Sequence, residues 1–217
     1  TGRLDSLNLE WKPGDPNEPH IFWESDTAKW LEAASYSLGV FPNPELERVV
    51  DEVIALLAHA QQPDGYLNAH YTVVEPDKRW SNLRDCHELY CAGHLIEAGV
   101  AHFEATGKRT LLDIVCKYAD YIDTVFGTEE GKIHGYCGHE EIELALIRLY
   151  QATQDKRYLN LSQYFVEERG KQPHYFDTER EGVEKDHFKE WFASMGIPYN
   201  HSYNQSHLPI REQTEAV

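Results

Sequence analysis

The chain reads as an all-α fold of helical hairpins stacked side by side. Three observations predict it. Apolar residues recur at three- and four-residue steps through most of the first 170 positions. Breaks containing Pro, Gly or Asn separate the periodic runs. One helix-to-helix linker is repeated: Phe103-Glu-Ala-Thr-Gly-Lys-Arg109 resembles Tyr150-Gln-Ala-Thr-Gln-Asp-Lys-Arg157, and Ala105 and Ala152 lie 47 residues apart. Helix pairs at such a period stack either as an open solenoid or as a closed double ring. Three pairs fit before residue 170, and a closed ring of six would need roughly twice this chain.

Each element follows from local signals. Ser25-Asp26 is read as the cap of a first helix carrying Ala28, Trp30, Leu31, Ala34 and Tyr36. Pro42-Asn-Pro44 stops it and starts the next, with Pro44 suited to a first helical turn. That second helix carries Leu46, Val49, Val50, Val53, Ile54, Leu56 and Leu57 and ends near Gln61-Gln-Pro-Asp-Gly65. A third helix is expected from about Asp85 to Ala105, with Leu89, Ala92, Ile96, Val100 and Phe103 in one stripe. Thr106-Gly107 ends it, and a fourth covers Leu111 to Phe126. After the Gly-rich connector 127–138, a fifth helix runs from near His139 to Ala152 and a sixth from Arg157 to Glu168. From Lys171 to Ile210, Pro and Gly punctuate a long connector rich in Tyr, His and Phe; such connectors are usually functional. A further helix opens near Arg211, and nothing in Glu212 to Val217 stops it, so the chain is expected to continue.

Bulk properties narrow the function. The 217 residues suit one large domain or one and a half average ones. An aromatic share of 12% permits a sizeable core because each ring buries a large area. A formal charge of −17 argues against nucleic acid and anionic membranes and leaves room for a neutral or cationic small ligand. No apolar run reaches the length of a membrane span and no signal peptide opens the chain, so a cytoplasmic location is expected. Cys86, Cys91, Cys116 and Cys137 form no C-x-x-C pair and are read as reduced, mostly buried thiols.

Four polar, aromatic segments fall where a double ring would turn its helix starts toward a central cavity. In Pro19-His-Ile-Phe-Trp-Glu-Ser-Asp26, the rings of His20, Phe22 and Trp23 beside Glu24 suit a sugar platform, or else a hydrophobic staple at a helix start. Gln61-Gln-Pro-Asp-Gly-Tyr-Leu67 is a turn by composition; Asp64 and Tyr66 either face the cavity or close the turn. In Asn82-Leu-Arg-Asp-Cys-His-Glu-Leu-Tyr90, His87, Tyr90 and His94 share a helical face away from the apolar stripe. His87 with Glu88 could bind hydroxyls or a metal; His87 and Cys91 alone are too few for a metal site. In His134-Gly-Tyr-Cys-Gly-His-Glu-Glu-Ile-Glu143, His139 and Glu143 are expected on one face, with glycines allowing a ligand close. A buried structural histidine is the plain alternative for each imidazole. The repeated His-Glu at a helix start favours a shared pocket.

With these residues assembled, the chain resembles the N-terminal half of the catalytic domain of glycoside hydrolase family 127, the β-L-arabinofuranosidases. The matching stretches are HIFWESDTAKW (20–30), QPDGYL (62–67), NLRDCHELYCAGH (82–94), HGYCGHEE (134–141) and HLPIREQ (207–213). The resemblance implies an (α/α)6 barrel, of which residues 1–217 form about the first half. It also implies an exo-acting, retaining hydrolase that releases arabinose from plant-type glycans. Its nucleophile would be a zinc-bound cysteine, with zinc ligands and acid/base in the half of the barrel that this sequence does not reach. No metal ligand and no catalytic residue is therefore expected among these residues, and none of the four cysteines falls in the matching motif. Substrate binding does carry over: His87 and His139 look like the family's sugar-contacting histidines, and Phe22 sits where the family has an aromatic near the sugar. Trp23, Tyr66 and Glu88 complete the expected sugar-binding set. This fragment alone is expected to be inactive. A half-ring would expose inner apolar surface, which a second copy could bury. The competing readings are another (α/α)6 enzyme, an unsaturated glucuronyl hydrolase or sugar epimerase, and a non-catalytic helical-repeat scaffold.

Overall fold

A computed structural model describes residues 2–179, 181, 187–197 and 209–212. A short α1 (Gly2–Asp5) precedes α2 (Trp23–Val40) and α3 (Pro44–Ala60). A single turn, α4 (His70–Val73), leads to α5 (Glu88–Thr106) and α6 (Thr110–Val125). The third long pair is α7 (Ile142–Thr153) and α8 (Lys156–Glu168), followed by the short α9 (Tyr175–Thr178) and α10 (His187–Ser194). Among the described residues there is no strand, only an isolated bridge between Phe126 and Ile133.

The long helices form two layers. α2, α5 and α7 lie side by side, and α3, α6 and α8 back them. At one end Cys91 Sγ, in the first turn of α5, meets the Ile21 carbonyl just before α2 at 3.6 Å. At the other end Gly39 of α2 packs on Ala105 of α5. Gly93, in the second turn of α5, packs on Glu141 and Ile142 at the start of α7, so the N-termini of all three first-layer helices lie at one end. Arg148 of α7 ties them together partway along. Its guanidinium meets Glu97 of α5 at 2.9 Å, Glu32 of α2 at 3.3 Å and the Tyr36 hydroxyl of α2 at 3.0 Å.

The sequence explains most boundaries. Asn43 accepts from the Glu45 and Leu46 amides at 3.1 Å each, with Pro44 in the first turn of α3. The buried face of α3 is Val50, Val53, Ile54, Leu57 and Ala60. Two starts differ from expectation. α2 begins at Trp23, so Ser25 is internal and its hydroxyl donates back to the Phe22 carbonyl at 2.8 Å instead of capping. Trp30 and Tyr36 face outward, and the core face of α2 is Ala28, Leu31, Ala34, Ser35 and Leu38. α7 begins at Ile142, three residues later than His139, because residues 139–141 are held in an irregular turn by contacts described below. α5 is buried well beyond the single expected stripe: Leu89, Ala92, Leu95, Ile96, Ala98, Val100 and Ala101 are all inaccessible. It is the central helix, with α2, α6 and α7 around it. The connector after 170 carries α9, whose Phe176 ring packs on Tyr136 at 4.7 Å between centroids. A 3-10 turn at Ile210–Glu212 stands where the next helix was expected; 201–208 and 213–217 lie outside the described residues.

The repeated linker is repeated in three dimensions. Gly107 (φ 72°) and Gln154 (φ 62°) both take the left-handed conformation and donate to the carbonyls of Phe103 and Tyr150, at 2.8 and 2.7 Å. In each copy the preceding threonine hydroxyl, Thr106 or Thr153, donates to the carbonyl four residues back at 2.7 Å. The amides of Lys108 and Asp155 then donate to those same hydroxyl oxygens. A glycine adopts this conformation without strain, whereas a residue with a Cβ is penalised by about 1 kcal/mol. Gln154→Gly is therefore expected to stabilise the fold by about 1 kcal/mol, read as a higher melting temperature. An unchanged or lower melting temperature would show that the Gln154 side-chain bond to the Gln151 carbonyl outweighs the strain.

Candidate functional site

The segments that precede α2, α5 and α7 meet at the N-terminal end of this layer. Four bonds staple the first segment. His70 Nδ1 donates to the Pro19 carbonyl at 2.8 Å, and Asn68 Nδ2 and Cys91 Sγ both reach the Ile21 carbonyl. The Ala69 amide donates to buried Glu24 at 2.6 Å. This anchoring presents Phe22, partly exposed, with its ring 4.2 Å from His20 and 5.6 Å from His87.

His87 sits just before α5 with φ 62°, an uncommon conformation for a residue with a side chain. Its Nδ1–H donates to the Asp85 carbonyl, which puts the ring's lone pair on Nε2. His139 arrives from the loop before α7, its ring 5.1 Å from His87. Tyr90 lies under both, 5.5 Å from His87, 5.1 Å from His139 and 4.5 Å from His94. The face His87–Tyr90–His94 expected from spacing is thus present. Burial holds the His87 imidazole below its ordinary range, and burial, the neighbouring His87 and Arg169 bring His139 down to about 4. His94 is likewise down to about 4, first through burial and then through Lys29. These rings are neutral at pH 7, so each offers one donor and one acceptor.

The two loops are pressed together at Gly138. Its amide donates to the Leu83 carbonyl at 3.1 Å, and a Cβ there would lie 2.0 Å from the Arg84 carbonyl oxygen. The glycine expected to admit a ligand admits the neighbouring loop instead. Gly135 does the same against Leu83 and Tyr175. Buried Arg169 fixes the other side, meeting Glu140 and Glu143 at 2.9 Å each and donating to the Cys137 carbonyl at 2.8 Å. Glu143 therefore turns inward to Arg169 and does not share a face with His139.

Three residues of the expected sugar-binding set lie elsewhere. Tyr66 is fully buried, edge-on to Trp80, Tyr118 and Tyr121, and its hydroxyl donates to Glu88. Glu88, also buried, accepts from the Trp80 amide at 2.7 Å with its other oxygen. The 61–66 turn is closed by Gly65 (φ 102°), the Gln62–Tyr66 bond of 2.8 Å and the Tyr66 amide on Asp64 at 3.0 Å. Tyr66 and Glu88 are thus a core pair that anchors the start of α5; helix-start spacing could not tell an inward glutamate from an outward one. Trp23 turns to α1, under the Arg3 guanidinium at 5.7 Å. Lys29 and Arg169 gave no signal in the sequence, being single cations among helical polar positions. Lys29 was visible only as a letter of the 20–30 stretch.

The model of the β-L-arabinofuranosidase GH127 catalytic domain matches residues 8–217. The chain belongs to the GH127 family. It is similar to the non-reducing end β-L-arabinofuranosidase of Bifidobacterium longum subsp. longum, 44% identical over 200 residues, which cover 90% of this chain and 30% of that protein. Two solved structures are similar too. A GH127 β-L-arabinofuranosidase of Geobacillus stearothermophilus T6 is 54% identical with a TM-score of 0.87, over 97% of this chain and 32% of that one. The GH127 β-arabinofuranosidase BT3674 is 35% identical with a TM-score of 0.74, over 85% and 31%. The GH127 chain spans about a third of the length of these relatives. Its two helical layers are hairpins of an (α/α)6 barrel, and membership of GH127 sets aside the scaffold reading.

The zinc-bound cysteine implied for GH127 does not fit the residues of this chain. Burial pushes the Cys137 thiol up to about 12 and the Cys91 thiol well above its ordinary value, and among the described residues neither belongs to a group of converging ligand types. Cys116, raised by burial, sits apart on α6, and none of the four cysteines is in a disulfide. Among the described residues, one group of ligand types converges, His94, Glu97 and Glu141, and it contains no cysteine. Its Glu97 already carries Arg148, burial beside Glu97 raises Glu141 to about 8, and His94 Nδ1 stands 3.0 Å from Glu141.

Two predictions follow from this geometry. Gly138→Ala has no space for its methyl against the Arg84 carbonyl, so the loops must part; a destabilisation of about 1–3 kcal/mol by urea melting is expected. A loss below a few tenths of that would show the contact to be slack. Burial raises Glu88 from 4.5 to about 8. The unfolded chain releases this proton above about 4.5 while the folded chain keeps it to about 8, so Glu88 makes stability fall with rising pH across that window. Glu88→Gln, neutral throughout, is expected to lessen that fall; identical slopes between pH 5 and 8 for both proteins would contradict it.

Proposed function

We propose that the protein carrying this chain is a glycoside hydrolase that releases β-L-arabinofuranose from non-reducing ends, exo-acting and retaining, and that these residues form part of its sugar-binding pocket. One observation carries the pocket reading: Phe22, His87 and His139, from three separate helix starts, converge into a single patch of neutral rings. A sugar hydroxyl both donates and accepts, which suits a neutral imidazole better than a fixed charge. Phe22 offers an apolar face for the C–H side of the ring. With its proton on Nδ1, His87 presents an acceptor at Nε2, so it would receive a hydrogen from a hydroxyl. His139 would take a second hydroxyl, and two such contacts fix the sugar's orientation. Proton transfer is assigned to neither imidazole.

Carbohydrate is therefore the proposed ligand, and the chain's acidity fits an uncharged one. Tyr66 and Glu88 contribute from behind, by fixing where α5 begins and hence where His87 stands. Zinc, if the protein carries it as the resemblance implies, would take ligands other than these four cysteines. Among the described residues no helix is long and apolar enough to cross a membrane.

The test is His139→Ala in the protein carrying this chain, assayed on an aryl β-L-arabinofuranoside. Losing one hydroxyl contact is expected to raise KM about tenfold, with the melting temperature little changed. Unchanged kinetics would refute the pocket reading.

A further inference from the structure

Lys29 is one residue that neither the matching sugar-contact positions nor the reading above assigns a task. It lies on α2, one helical turn beyond the Phe22 segment, and it is exposed. In a chain of net charge −17, its ammonium is bonded to a phenol: Nζ donates to the Tyr90 hydroxyl at 2.7 Å and stands 4.8 Å from the ring centroid. Tyr90 in turn touches three imidazoles, and two of them are the proposed sugar-facing rings. We propose that Lys29 and Tyr90 are a positioning pair for His87 and His139: the ammonium anchors the phenol, and the phenol ring is the surface on which both imidazoles rest. This inference rests on the pocket reading only for its effect on substrate; the positioning itself is a property of the protein alone.

The core and the neighbouring rings hold the Tyr90 ring, and Lys29 holds its hydroxyl end. It rises from the first turn of α5, half-buried, with His94 edge-on at 88° on its helix side and His87 edge-on at 86° on the loop side. Its hydroxyl end is held from the neighbouring helix by Lys29. Without that bond the hydroxyl end loses its tether, and packing alone sets the tilt of the ring beneath the two imidazoles.

The pair also carries a charge effect of known sign. Lys29 disfavours the protonated forms of His87, His94 and His139, adding to burial, which is the largest cause for each. Other groups act on the same rings. Asp85 favours protonation of His87, and His20 opposes it. Arg169 and Arg84 oppose protonation of His139. Removing Lys29 takes away one repulsion, so both imidazoles should protonate at higher pH than in the parent.

The experiment uses the full protein carrying this chain, as Lys29→Met, Lys29→Arg, Tyr90→Phe and His139→Ala. Imidazole NMR titration is read alongside KM and kcat on an aryl β-L-arabinofuranoside. Lys29→Met is expected to raise the titration midpoints of His87 and His139 and to move the acid limb of KM to higher pH. It is also expected to raise KM about tenfold, the scale of a lost charge-assisted bond, with kcat within about twofold. Tyr90→Phe, which keeps the ring and the charge, should raise KM without moving the midpoints as far; Lys29→Arg should restore both. If Lys29→Met and Tyr90→Phe leave midpoints and KM unchanged while His139→Ala raises KM, the pair has no positioning role. If the midpoints move only in Lys29→Met and neither Lys29→Met nor Tyr90→Phe changes KM while His139→Ala raises it, Lys29 acts by charge alone and the positioning role falls. If Tyr90→Phe also displaces the His87 and His139 ring resonances but KM is indifferent to all the variants, including His139→Ala, the pair stands and the pocket reading falls.

Discussion

A buried carboxyl behind each first-layer helix start is the constraint on which the site depends. Glu24 takes the Ala69 amide, Glu88 takes Tyr66 and the Trp80 amide, and Glu140 and Glu143 take Arg169. An ionised carboxylate in such a place is costly, and Glu24, Glu88 and Glu140 are accordingly raised to about 7, 8 and 7 by burial. In exchange, each fixes a segment that helical propensity alone would let fray. The neighbouring residue on the opposite side of each start, Phe22, His87 or His139, then has a definite position in space. The patch of rings and the acid anchors are two faces of the same three helix starts.

This arrangement accounts for what was legible in the sequence. The six long helices follow from period and punctuation because those signals are local: Asn43-Pro44 caps α3, and Gly107 ends α5. The repeated linker was readable because its bonds all lie within seven residues. His87 and His139 stood out as a repeated pair at helix starts, and the structure brings them to 5.1 Å. What could not be read was direction. Whether Glu88 points toward His87 or away into the Tyr66 cluster depends on where Trp80 and Tyr66 arrive, two loops away. The start of α7 falls after His139 for the same reason: Arg169, distant in sequence, holds residues 137–141 in a shape that a helix would not allow.

The glycines teach a related lesson. A Gly-rich run near candidate ligand groups invites the idea of room for a ligand, and the space at Gly138 is instead filled by the Arg84 backbone and that at Gly135 by the Leu83 and Tyr175 side chains. The absence of a side chain serves protein-to-protein contact within one chain. It sets the separation of two imidazoles that come from different hairpins, which is a more demanding task than leaving a space open.

Arg148 has a consequence for the whole assembly. In a linear array of hairpins each unit touches only its neighbours, and stability is a sum of nearest-neighbour terms. Arg148 of α7 passes across α5 to reach Glu32 and Tyr36 of α2, a second-neighbour link that a purely linear array lacks. It couples the first and third hairpins, so they should melt together where a solenoid would unravel from its ends.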